Sequence, residues 1–274
     1  EWDTACTGDD WRHDHNFEHH TYTNVRGKDR DLGYSIMRIT PEQEWSPSRL
    51  FQPFVNLGLS MIFEWGIALY DIELDKVKSG EKEWAVAKAE LKTAGKKVAK
   101  QLAKDYVLFP LLSGPGFLST LAANATANLI RNLWSHAVIF CGHFPDGTET
   151  FEEERLHGET QGEWYVRQML GSANLSGSPL FHIMTGNLSH QIEHHLFPDV
   201  PSNRYREIAP KVRDICKRYG LTYTTGSLPR QYGKVLRKIT RLAFPGGGPK
   251  NVGTAPIPLK RRTQAASRPA RLAS

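Results

Sequence analysis

Residues 106–145 read YVLFPLLSGPGFLSTLAANATANLIRNLWSHAVIFCGHFP, and Arg131 is the only Lys, Arg, Asp or Glu among them. The stretch is roughly twice the ~20 residues that a membrane helix needs. Ser113-Gly114-Pro115-Gly116 lies where two limbs would turn, because Gly and Pro punctuate helices. The segment predicts an all-α chain built on a membrane-embedded helical hairpin at about 106–141. A buried helical pair in a soluble core is the alternative. Along the second limb Asn124, Asn128, Asn132 and His136 recur at every fourth residue, and His143 follows seven after His136. Such a polar stripe faces a functional interior, which makes His136 a metal-ligand candidate, or else packs helix against helix.

Outward from the hairpin the pattern is more polar. Leu50 to Tyr70 is apolar with Glu64 its only charge, and Asp71 to Asp105 carries nine lysines spaced as on a surface amphipathic helix. Ser202 to Tyr219 predicts an amphipathic helix with Tyr205, Ile208, Val212, Ile215 and Tyr219 on one face, ended by Gly220. Tyr232, Val235, Leu236 and Ile239 predict one more helix before a Pro/Gly run at Pro245. Residues 245–274 read as a basic disordered tail.

Eleven histidines are present, and seven fall in His13–His20 and His190–His195. His15-Asn16-Phe17-Glu18-His19-His20 and His190-Gln191-Ile192-Glu193-His194-His195 repeat the pattern H-x-x-E-H-H. On an α-helix, residues i and i+4 differ by about 40° and adjacent residues by about 100°. His15/His19 and His190/His194 therefore each suit one metal, while each doublet points two ways and suits a two-metal centre. Gln191/His195 satisfies the same i, i+4 geometry as His190/His194. Imidazole serves Zn, Cu, Fe and Ni. A histidine count above the four ligands usual for zinc, with no cysteine near either cluster, favours two irons. Glu18 and Glu193 stand where they could accept an imidazole N–H or serve as surface charges.

If the clusters share one site they lie on the same side of a bilayer, so an even number of crossings separates them. The lysines favour the cytoplasmic side. Two crossings within 106–141, with Leu50 to Tyr70 lying in the interface, meet both conditions, and a helical cap carrying the histidines then faces the cytoplasm.

At this point WRHDHNFEHHTYTN, NLWSH and NLSHQIEHHLFPDVP resemble the membrane-bound fatty acid desaturases, in particular the front-end and actinobacterial acyl-CoA branch, over about residues 8–244. The resemblance matches His15, His19 and His20 to the family's second histidine box, and Gln191, His194 and His195 to its third. Asn132 and His136 match an N-x-x-x-H element in which the His is a ligand and the Asn acts through a water. It implies two iron ions, O2 as co-substrate and removal of two hydrogens from a fatty acyl chain. It also implies a separate electron donor, ferredoxin or cytochrome b5-type with its reductase, since no haem motif of that type is present. No catalytic residue beyond the metal ligands follows from it.

The family's first box, H-x-x-x-H, does not occur ahead of the second. Glu1 to Trp11 has neither signal-peptide nor transit-peptide composition. The chain therefore reads as a desaturase domain, 1–244, that lacks its N-terminal part and holds an incomplete metal site. A hydroxylase or ketolase of the same histidine-box superfamily is the nearest rival, and a non-catalytic metal-binding membrane remnant is the rival from another class.

Composition bounds the partners. The 274 residues carry 35 Lys+Arg against 29 Asp+Glu, and the whole excess sits in residues 245–274. The body is neutral, which argues against a nucleic-acid partner. Cys6, Cys141 and Cys216 form no C-x-x-C pair and read as reduced thiols in a cytosolic compartment.

Overall fold

The computed structural model describes residues 6–248, so the tail expected over 245–274 lies outside the described residues from 249 onward. The helices are α1 (residues 8–22), α2 (Gln52–Met61), α3 (Phe63–Tyr70), α4 (Leu74–Ser79), α5 (Trp84–Ala103), α6 (Phe117–His143), α7 (Gln161–Gly171), α8 (Pro179–Met184), α9 (Gln191–Leu196), α10 (Tyr205–Tyr219) and α11 (Leu228–Leu242). Two three-residue strands, β1 (Asn174–Ser176) and β2 (Thr225–Ser227), pair in parallel with Asn174 opposite Thr225. They are a small addition to an otherwise helical chain.

The long hairpin turns where Gly and Pro predict it, at Gly114–Gly116, with Gly114 at φ +55°. Its limbs differ from expectation. Residues 106–112 supply only about 10 Å of rise at ~1.5 Å per residue, against a hydrocarbon core of about 30 Å. The first limb is instead the lysine helix α5, rich in strong helix formers, running on through a π-helical turn, Lys104–Leu108, and the short helix Phe109–Leu112. Two crossings confined to 106–141 are therefore corrected. Helix α6 has 27 residues, but its asparagines, Arg131 and two histidines lower its apolarity. Among the described residues no helix is long and apolar enough to cross a membrane.

The asparagine stripe repairs breaks in the helices beside it. At the π-helical turn Phe109 gives its N–H to the Lys104 carbonyl, and the next residue, Pro110, has none to give. Asn124 donates to the Asp105 carbonyl at 2.6 Å, and Asn128 donates to the Asp105 carboxylate and the Tyr106 hydroxyl. Leu50 to Tyr70 likewise breaks at Ile62, between α2 and α3. Asn132 spans the break, donating to the Met61 carbonyl at 2.9 Å and accepting the Glu64 N–H at 3.2 Å. Arg131 pairs with Glu64 alongside. Neither arm of the break is longer than ten residues, about 15 Å.

Both arms lean on the C-terminal half of α6. Phe63 packs on His136 and Phe140, and Tyr34 stacks on Phe140, in a core that also takes in Leu175, Val235 and Ile239. A second core joins α7, α9 and α10 through Val166, Leu170, Ile192, Leu196, Val212 and Cys216. Helix α10 ends at Gly220, φ +68°, in the left-handed cap the sequence predicts. Its buried face is rotated from the expected one. Ala209 and Cys216 turn inward with Tyr205 and Val212, while Tyr219 is 69% exposed. Cys216 meets Met169 of α7 there.

Asn132 is almost fully buried, so Asn132→Leu would leave two backbone groups without partners, at about 1–3 kcal/mol each. Denaturant unfolding of the detergent-solubilised chain should show that loss, and an unchanged midpoint would refute the bridging role.

Candidate metal centre

Helix α1 is π-helical over Arg12–His19, which changes how its histidines face. An i→i+5 turn brings residues five apart over one another, whereas an α-helix would set them about 140° apart. His15 and His20 thus share a face, and His19 turns to another. In the third-box segment, His190 lies outside α9 at φ −100°, ψ 56°, and Gln191 is the first helical residue. The helix therefore aligns Gln191 with His195, while His190 stacks on His182.

Tertiary packing sorts six imidazoles into two groups. One holds His15, His20 and His194; the other holds His19, His143 and His195, and within each group the ligand atoms all lie within 4.8 Å of one another. Each doublet splits, one ring to each group. His20 Nε2 stands 3.1 Å from His194 Nε2. Two ligand nitrogens at ~2.0–2.1 Å from one ion stand at about that separation. In the other group the Gln191 amide lies 3.0 Å from His143 Nε2 and 3.2 Å from His195 Nε2. Gly142 makes room for it, since a Cβ there would come within 2.8 Å of the Gln191 chain.

The far nitrogens of the rings are held by residues that sequence reading does not single out. His19 Nδ1 lies 3.0 and 3.1 Å from the two Asp29 oxygens, and Asp29 also accepts the backbone N–H groups of Asn24 and Asp31. The Thr23 hydroxyl donates to the His19 carbonyl at 2.8 Å. Its oxygen then accepts from His195 Nδ1 at 3.0 Å, which assigns the proton to Nδ1 and leaves Nε2 facing the group. His194 Nδ1 stands 3.2 Å from the Tyr205 hydroxyl.

Burial sets the charge of the cluster. It pushes His15 down to about 3 and His194 down to about 4, with neighbouring imidazoles adding to the effect, and it holds His20, His143 and His195 well below the usual value. These five rings are neutral at pH 7, the state in which imidazole binds a metal. His19 is the exception. Burial alone would lower it, but Asp29 and Asp31 raise it to about 9.

Other candidates lie elsewhere. His136 is buried two turns from His143, bonded to Asn56 Oδ1 at 3.1 Å and stacked on Phe140, and the structure brings it to neither group. Asn132 bridges the Ile62 break. Glu18 sits near His13 rather than a clustered imidazole. Glu193 is fully buried and accepts from Asn174 and Tyr223, tying α9 to the β-pair, and the imidazole near it, His190 at 3.9 Å, lies outside both groups. His143, absent from the sequence candidates, has its signal in the i+7 spacing from His136, which puts both on one face of α6.

A cavity of about 230 Å³ opens beside the two groups. His15, His19, His143, Gln191 and His194 line it together with Asp14, Asn16, Asp31 and Asp71, and Trp11, Tyr34, Ile67, Ile139 and Leu188 supply its apolar side.

The family model for fatty acid desaturases matches residues 5–227. A Mycobacterium tuberculosis NADPH-dependent stearoyl-CoA 9-desaturase is 49% identical over 89% of this chain and 58% of its own length. An sn-1 linoleoyl-lipid 6-desaturase from Synechocystis is 29% identical, covering 78% of this chain and 60% of its own. The chain thus spans somewhat under two thirds of the length of these relatives. No solved structure matches it.

With His19 protonated below about pH 9, a divalent ion entering its group must displace that proton, whereas the neutral group gives up none. Affinity of the His19 group should therefore rise about tenfold per pH unit up to about 9 and level off above it. Calorimetry in two buffers of different ionisation enthalpy should find about one proton released per ion there at pH 7.5; no release would refute the raised His19.

Proposed function

Because the chain belongs to the fatty acid desaturase family, we propose that it carries the metal-holding part of an O2-dependent acyl desaturase acting on a fatty acyl-CoA or acyl-lipid. The observation that carries this reading is the division of six imidazoles into two groups of three, with each doublet shared between them.

The donor set fits a pair of iron ions. His15, His20 and His194 would hold one, and His19, His143 and His195 with Gln191 the other. The set is six imidazoles and one amide, the imidazoles turn ring nitrogens inward, and the 3.1 Å approach of His20 to His194 is a clash of lone pairs unless a proton or cation lies between them. Bound iron would supply the O2 chemistry, with two electrons, by which two hydrogens leave adjacent carbons of the acyl chain.

The remaining work belongs to the protein. Asp29, Thr23 and Tyr205 fix which ring nitrogen of each partner faces the centre. Trp11, Ile67, Ile139 and Leu188 offer an apolar wall along which a hydrocarbon chain can lie beside the imidazoles.

Membrane association is general in the family, and the hairpin tip supports it here: Leu111, Leu112 and Leu118 are each more than 60% exposed around the Gly114–Gly116 turn. We place that tip in lipid. Both limbs return to the histidine side, which puts both groups on one face, the cytoplasmic one by the lysines of α5. The stearoyl-CoA relative is named NADPH-dependent, which supports reductant reaching the centre through a separate donor of ferredoxin or cytochrome b5 type.

The deciding experiment joins the part of the M. tuberculosis relative that lies outside the matched region to this chain, and expresses the product in a host with a competent donor. Gas chromatography–mass spectrometry should find new unsaturated acyl chains, lost on His194→Ala or His195→Ala. A hydroxylated chain without an alkene would replace the proposal with a hydroxylase.

A further inference from the structure

Resting on the metal-centre reading above, we infer that the two histidine groups are unequal, and that the group of His19, His143 and His195 takes up its ion first because the Asp29 carboxylate stands behind it.

The two groups have the same number of imidazoles but different surroundings. Behind His19 lies a buried carboxylate, its side chain 1% exposed, fixed by the His19 ring and by the backbone N–H groups of Asn24 and Asp31. The Asp31 carboxylate stands 3.7 Å from the same ring nitrogen. Behind the other group every partner is neutral. His15 meets the Asn16 side chain at 3.0 Å, His194 meets the Tyr205 hydroxyl at 3.2 Å, and His20 Nδ1 has no hydrogen-bond partner among the described residues.

Two physical consequences follow. A carboxylate accepting from one ring nitrogen makes the other a stronger donor and fixes the ring's orientation, an arrangement worth about 10–100-fold in metal affinity. The same charge acts directly on the ion, and a divalent cation at Nε2 feels it twice as strongly as the proton it replaces. Gln191 brings its side-chain amide to this group alone, with Nε2 at 3.0 Å from His143 and 3.2 Å from His195.

Burial points the same way. All three rings of the His19 group are buried, whereas His15 and His194 of the other group are only half-buried. Half-buried rings keep more freedom to lose when the ion arrives, and that ordering costs affinity.

The test is a titration of the purified chain with Co2+ alone at pH 8.5, followed by visible absorption. Two classes of site are expected, one ion each, with His195→Ala removing the tighter and His194→Ala the looser. Asp29→Asn keeps the size and an acceptor oxygen but loses the charge, and should weaken the tighter class about 10–100-fold while sparing the other. Asp29→Glu should recover part of it, and Tyr205→Phe should weaken only the looser class. A merely structural role for Asp29 would weaken both classes together and lower thermal stability in step. Equal affinities in the wild-type chain, or equal weakening of both classes by Asp29→Asn, would overturn the inference and leave the metal centre standing. Failure of the wild-type chain to bind Co2+ at all would overturn both.

Discussion

Six imidazole rings share one small interior space, and they can do so only if most of them stay uncharged. Burial enforces this on His15, His20, His143, His194 and His195, and each protonation would add a charge against its neighbours in a medium that screens poorly. The one ring held charged, His19, is the one beside carboxylates. The surrounding fold follows from this requirement. It must deliver rings from α1, α6 and α9 to one place and supply partners such as Asp29, Thr23 and Tyr205 for nitrogens that face away.

The long helix α6 does two jobs in this scheme. Its C-terminal end delivers His143, and its polar stripe keeps the neighbouring helices intact where they cannot be regular. Pro110 deprives the first limb of a donor, and Ile62 interrupts the apolar stretch between α2 and α3; at each place an α6 asparagine takes up the freed backbone group. An asparagine offers a donor and an acceptor without charge, which suits a contact between backbones inside an apolar helix bundle. The stripe is thus a mechanical feature along most of its length and becomes part of the centre only in its last turn.

Local irregularity also sorts the rings. A regular α-helix would pair His15 with His19; the π-helical turn pairs His15 with His20 and frees His19 for the second group. At the other cluster, the helix starts one residue after His190, so the ring that begins the H-x-x-E-H-H pattern is left outside and Gln191 takes the inner position. Two identical sequence patterns thereby make different contributions to one centre.

The repeated H-x-x-E-H-H pattern, the split doublets, the turn at Ser113–Gly116 and the Gly220 cap were legible in the sequence, because each depends on residues close together in the chain and on fixed local geometry. The faces of short helices, the extent of the hairpin limbs and the place of His143 were not. A polar stripe reads the same whether its histidines meet a cluster, as His143 does, or an asparagine and a phenylalanine, as His136 does. Asp29, Thr23 and Tyr205 carry no motif, since what makes them partners of the imidazoles is distance in space. The sequence by itself determined that two histidine clusters suited to metal are present, through residue types and periodic spacing. Only tertiary packing decided which ring joins which group, because that choice depends on helix irregularities and on backbone groups satisfied from far along the chain.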